Sequence, residues 1–149
     1  MRRFLSLAAL FLAIVSSTSS SAVTRQVTRG LSHDYAAFRA DVVSNVRYDL
    51  SLDILPANDQ FTGDITIDFA LAKKTGDLTI DFADGKILRM SVNGQSVKPD
   101  FNDYFIKVPE GPLKKGNNRV VMSFSHPYSK FGSGLYKFQD PEDKEYYLY

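Results

Sequence analysis

The side chains able to do chemistry are few. The sequence has two histidines, His33 and His126, and no cysteine at all. Without thiols there is no disulfide framework, no cysteine-ligated zinc or iron–sulfur centre and no thiol nucleophile. The histidines stand 93 positions apart, one before a short helical pattern and one at the end of a strand pattern, and neither has a second ligand four residues on. Both read as surface or locally hydrogen-bonded residues. No His-Glu-x-x-His helix, Gly-x-Ser-x-Gly elbow, phosphate loop or dinucleotide fingerprint occurs, so the sequence offers no catalytic residue and no metal ligand. Asp49, Asp53, Asp64, Asp68 and Asp81 invite a reading as paired carboxylates or a calcium site. All five fall on the polar side of alternating segments, which makes a solvated sheet face the simpler reading.

The remaining candidates are aromatic. Four of the eight tyrosines lie in the last fourteen residues, and Tyr136, Phe138, Tyr146 and Tyr147 could face a ligand or a neighbouring domain. Such rings combine apolar area with a polar tip and suit a peptide or glycan groove; packing onto the sheet is the competing reading.

The elements that position these residues read as strands. Val46, Tyr48, Leu50, Leu52 and Ile54 alternate with Arg47, Asp49, Ser51 and Asp53, predicting a strand with one face on a core and the other in water. After a turn at Pro56-Ala57-Asn58-Asp59, Phe61 to Leu71 alternates again and should pair antiparallel with the first strand. Shorter strands are expected at Leu78–Phe82, Ile87–Val92, Tyr104–Val108 and Val120–His126, with Asn93-Gly94 as a tight hairpin turn. Only Ser32 to Asp41 reads as a helix, with Tyr35, Phe38 and Val42 on one side. The expected fold is all-β, an antiparallel sandwich or saddle preceded by a short helix.

Residues 1–22 read as a signal peptide. Arg2 and Arg3 precede an apolar run from Phe4 to Val15, too short for a membrane span, and Ser20 and Ala22 suit cleavage between Ala22 and Val23. Residues 23–31 then form a polar, flexible lead-in, and 32–149 the domain. Export to a periplasmic or extracellular location is expected, with no membrane span after cleavage. The chain is 44% hydrophobic and 23% charged, with a formal charge of +1 that becomes −1 once the two leader arginines are removed. That balance carries no basic face for nucleic acid.

In order along the chain, Val46–Ile54, Phe61-Thr62-Gly63, Leu78-Thr79-Ile80-Asp81-Phe82, Val92-Asn93-Gly94, Gly134-Leu135-Tyr136, Asp140-Pro141-Glu142-Asp143 and Tyr146–Tyr149 resemble the N-terminal domain of zinc aminopeptidases of the aminopeptidase N family, most of all its bacterial branch. The resemblance covers residues 31–149. It implies a saddle-like β domain that covers the active-site cleft of a thermolysin-like catalytic domain. The family's His-Glu-x-x-His zinc site and Gly-x-Met-x-Asn substrate strand are not in this sequence, and its amino-terminus-binding acidic residue would fall just beyond Tyr149. The implied zinc, peptide substrate and catalytic domain therefore belong to a parent enzyme, of which this chain is expected to be an inactive opening fragment, incomplete at its C-terminal end. The alternative is a stand-alone secreted β domain that binds peptide or glycan through its tyrosines.

Overall fold

The structure, a computed structural model, describes residues 30–132 and 134–149. The expected signal peptide, its Ala22/Val23 cleavage point and nearly all of the lead-in lie outside the described residues. One helix, α1 (His33–Val42), leads into ten strands: β1 (Val43–Asp53), β2 (Gln60–Leu71), β3 (Leu78–Asp81), β4 (Lys86–Val92), β5 (Gln95–Ser96), β6 (Asp100–Phe101), β7 (Phe105–Val108), β8 (Gly116–Pro127), β9 (Lys137–Gln139) and β10 (Tyr146–Leu148). All strand pairs are antiparallel. They form a five-stranded sheet in the order β1-β2-β8-β4-β5, a three-stranded sheet β3-β7-β6, and a two-stranded hairpin β9-β10.

Local chemistry explains the element boundaries. The Ser32 side chain accepts a hydrogen bond from the Tyr35 N–H and so starts α1. Asn93 and Gly94 both take positive φ, 51° and 81°, which fits the right-handed twist of the hairpin they close. β8 is the spine of the large sheet. It pairs over its whole length with β2 on one side and, from Val120 to Ser125, with β4 on the other. Its start is fixed by Asn118, a buried amide whose Oδ1 accepts from Lys114 N–H and Asn93 Nδ2, and whose own Nδ2 donates to the Lys114 and Gly116 carbonyls. Every polar atom of that side chain is therefore satisfied inside the protein.

The core lies between the two sheets. Ile67, Phe69 and Leu71 of β2, Met90 and Val92 of β4, and Val120 and Met122 of β8 meet Leu78 of β3 and Ile106 and Val108 of β7. α1 closes one end with Val42 and is tied to β3 by Tyr35, whose hydroxyl accepts from the Thr79 N–H, and by Arg39, which grips the Asp81 carboxylate with two nitrogens.

One expectation is corrected. The alternating face of β1 does not lie on the core: β1 is exposed along nearly its whole length. The period itself holds, because Tyr48 stands beside Ile67 and Ile67 beside Val120, all on one face of the sheet. Along that row exposure rises from 0% at Val120 and 5% at Ile67 to 63% at Tyr48. The second layer is only three short strands wide and stops before reaching β1.

Candidate functional site

The aromatic candidates gather on the terminal hairpin. Tyr147 pairs directly with Phe138, and Tyr136 and Tyr149 extend the ladder through reciprocal N–H to carbonyl bonds of 2.9 Å. Because directly paired residues share a face, Tyr136, Phe138, Tyr147 and Tyr149 form one aromatic surface. The Tyr136 and Tyr149 rings lie 6.0 Å apart with 30° between their planes. Phe138, Tyr147 and Tyr149 are exposed and Tyr136 is half-buried. Tyr146 departs from this group: the pleat turns it to the opposite face, with Lys137 and Leu148. The four candidates thus lie on one hairpin but not on one face, an outcome legible only once the register is known.

The inner face anchors the hairpin to the body of the domain. Leu148 packs against a second apolar cluster of Phe61, Phe124 and Tyr128. The Lys137 ammonium lies 5.1 Å from the Tyr128 ring centre and 5.0 Å from that of Tyr146, and donates to the carbonyls of Pro56 and Asn58. A cation held between two rings and two carbonyls fixes the hairpin against the β1–β2 turn. Sequence reading passed over Lys137, since nothing local distinguishes it from a solvated lysine.

The outer face is set by a loop. Asp143 accepts from the Glu145 N–H and from the Tyr147 hydroxyl at 2.8 Å. The backbone bond, and after it the tyrosine, hold the Asp143 carboxyl below the usual carboxylate range; the same carboxylate holds the Tyr147 hydroxyl above its ordinary value.

Among the other polar candidates, Asp64, Asp68, Asp81 and His126 are engaged locally. Asp68 and Arg119 face each other in register and form a two-point ion pair, which lowers the aspartate and raises the arginine. Asp64 accepts from Ser123 directly across from it, and Asp81 holds Arg39. Asp49 and Asp53 lie along exposed β1. His33 is exposed beside Asp34. His126 lies against the Phe61 and Phe82 rings, with its two ring nitrogens 2.7 Å from the Pro127 carbonyl and 2.9 Å from that of Ala83. Among the described residues no three His, Asp or Glu side chains converge to hold a metal ion. The residues present do not fit a zinc site, and no step of zinc chemistry is assigned to them.

What the described residues define is an antiparallel, two-layer β domain in which Asp64, Asp68 and Asp81 are each held by a polar partner on another element. Residues 44–149 match the model of the peptidase M1 N-terminal domain, and the chain belongs to that family. Among solved structures, aminopeptidase A of Legionella pneumophila in complex with aspartic acid is similar at 12% identity and a TM-score of 0.54, over 70% of this chain and 14% of that one. The M1 zinc metallopeptidase of Deinococcus radiodurans is similar at 15% identity and a TM-score of 0.51, over 67% of this chain and 26% of that one. The chain therefore spans about a quarter or less of the length of these neighbours. No curated protein matches it. Among the described residues no helix is long and apolar enough to cross a membrane.

Proposed function

We propose that this chain is the opening β domain of an exported zinc aminopeptidase, in which it covers the active-site cleft of a catalytic domain that follows it in the same polypeptide. Membership of the peptidase M1 N-terminal domain family carries this reading. The fold similarity to an M1 zinc metallopeptidase and to an aminopeptidase A, both much longer than this chain, supports it. The parent reaction is release of amino-terminal residues from peptides, with zinc and its ligands supplied by the catalytic domain. The role of this chain is to bind and shape: the aromatic face around Tyr136, Phe138, Tyr147 and Tyr149 offers apolar area with hydroxyl tips toward a neighbouring domain. Export follows from the leader pattern at residues 1–22, which predicts a mature chain beginning at Val23.

The test is to capture the native protein from its source, weigh it intact, and assay it. A species several times heavier than this chain, beginning at Val23, is expected to release amino-terminal residues from peptides and to lose that activity to a metal chelator; the 149-residue chain alone is expected to release none. A native species of this chain's own mass would overturn the reading. The exposure of the tyrosine face would then favour a stand-alone peptide- or glycan-binding module.

A further inference from the structure

The turn between β4 and β5 carries a reactive bond that the fold holds shut. Asn93-Gly94 is the one Asn-Gly pair in the sequence. With no side chain on the following residue, the Gly94 amide nitrogen can reach the side-chain carbonyl carbon of Asn93. Its attack forms an N–Cγ bond and breaks the Cγ–Nδ2 bond, and the Gly94 amide proton leaves with that nitrogen as ammonia. Water then opens the succinimide at either carbonyl and leaves a carboxylate at position 93, on an ordinary or an isoaspartyl backbone. The structure opposes the first step. Asn93 Nδ2 donates to the Pro112 carbonyl at 2.8 Å and to Asn118 Oδ1 at 2.9 Å, and Asn93 Oδ1 accepts from the Arg119 N–H at 2.9 Å. The Asn93 N–H donates in turn to the Arg119 carbonyl at 2.8 Å. The carboxamide oxygen thus stands in for a backbone carbonyl and carries the β4–β8 ladder one step past Val92 and Val120.

The surroundings cannot adapt to a carboxylate. Asn118 is buried; its Oδ1 also accepts from the Lys114 N–H, and its Nδ2 donates to the Lys114 and Gly116 carbonyls. Turning that amide over would set donor against donor and acceptor against acceptor. Pro112 presents only its carbonyl. A carboxylate at position 93 has no N–H to give, so one of its oxygens would face two acceptors in the place of Nδ2. An acceptor held against acceptors inside the protein costs more than the loss of the bonds it replaces. An isoaspartyl link would also add a backbone carbon to a two-residue turn whose φ values of 51° and 81° close β4 onto β5. We infer that Asn93 is a modification site opened only by unfolding: β8 and the loop before it tie down the carboxamide in the folded domain, and deamidation of an unfolded chain leaves a mark that blocks return to this fold. The inference stands apart from the function proposed above.

The experiment ages the 149-residue chain at one mildly alkaline pH, folded in buffer and unfolded in guanidinium chloride, and follows Asn93 by peptide mapping. Deamidation is expected to be slower in the folded chain by at least about tenfold, because it waits on local opening of the turn. A folded chain that reacts as fast as the unfolded one overturns the protection. The chain aged in denaturant is then diluted to refold and digested briefly with a protease. Molecules modified at Asn93 are expected in the digested fraction and unmodified ones in the resistant fraction; the same modified share in both overturns the block on refolding. An Asn93→Asp variant reads the same block without ageing. Its Tm is expected to fall below that of the parent chain by about 5 °C or more. An unchanged Tm shows that the turn accepts a carboxylate and overturns the inference, and a variant that does not fold at all supports it together with the partition of the aged chain.

Discussion

At the scale of single residues, the hydrogen bond from Tyr147 to Asp143 gives the terminal hairpin a defined pH window. The Asp143 carboxyl is depressed from its ordinary 3.8, so its contribution to stability is present above that value and is lost as pH falls through the lower, folded one. The Tyr147 hydroxyl is raised from its ordinary 10.0, so its contribution is complete below 10.0 and is lost as pH climbs through the higher, folded value. Replacing Tyr147 with Phe should move the Asp143 midpoint upward, though not all the way to 3.8, because the Glu145 N–H still donates to it. Following the Asp143 carboxyl carbon by NMR checks this, and an unmoved midpoint would show that the phenol does not set the loop. None of this pairing was legible in the sequence. An aspartate four positions before a tyrosine is unremarkable until the loop folds back and brings the two groups to 2.8 Å.

At the scale of elements, the alternation that predicted the strands reflects the pleat, and β1, β2, β4, β7 and β8 appear where it placed them, give or take a few residues at their ends. The hairpin turn at Asn93-Gly94 and the Ser32 cap were readable for the same reason: each is a local steric or hydrogen-bonding requirement that only a few residue types meet. The lateral extent of the second layer was not readable. Nothing within Val46–Ile54 reveals that the three-stranded sheet fails to reach it, since that depends on strands further along the chain, β3, β6 and β7. The aromatic packing of β2 and β8 was equally hidden. Gly63 stands opposite Phe124, and a Cβ built there would come within 2.5 Å of that ring and 2.8 Å of Leu52. The glycine makes the notch that seats the ring. Gly63→Ala should cost about 1–3 kcal/mol through overpacking, measured as a lower urea midpoint with an unchanged m-value; a neutral result would mean that the Phe124 ring can swing aside.

At the scale of the whole molecule, the domain combines a well-packed centre with an unfinished flank. Val120 and Val92 have no exposed surface, while at the other end of the same row Tyr48 is more than half exposed, as is Leu50 beside it on β1. The 149-residue chain should therefore bind the dye ANS while unfolding in one cooperative step, because the exposed flank is a feature of its folded state rather than of a loosened one. Dye binding that vanishes in a Tyr48→Ser, Leu50→Ser double variant locates it there; binding that persists places the apolar surface elsewhere.

The position of β8 has a consequence for time as well as shape. The strand at the middle of the large sheet is synthesised after both of its neighbours, and β2 must wait for its partner while roughly fifty further residues are added. At about 5–20 residues per second that interval lasts several seconds. During it β2 and β4 have no backbone partner between them, and the apolar face that will become the core is in the open. An isolated chain stalled in this interval should be open to proteolysis along β2 and β4 until β8 is added. The strand that joins β2 to β4 therefore also sets how long their apolar faces stay unprotected.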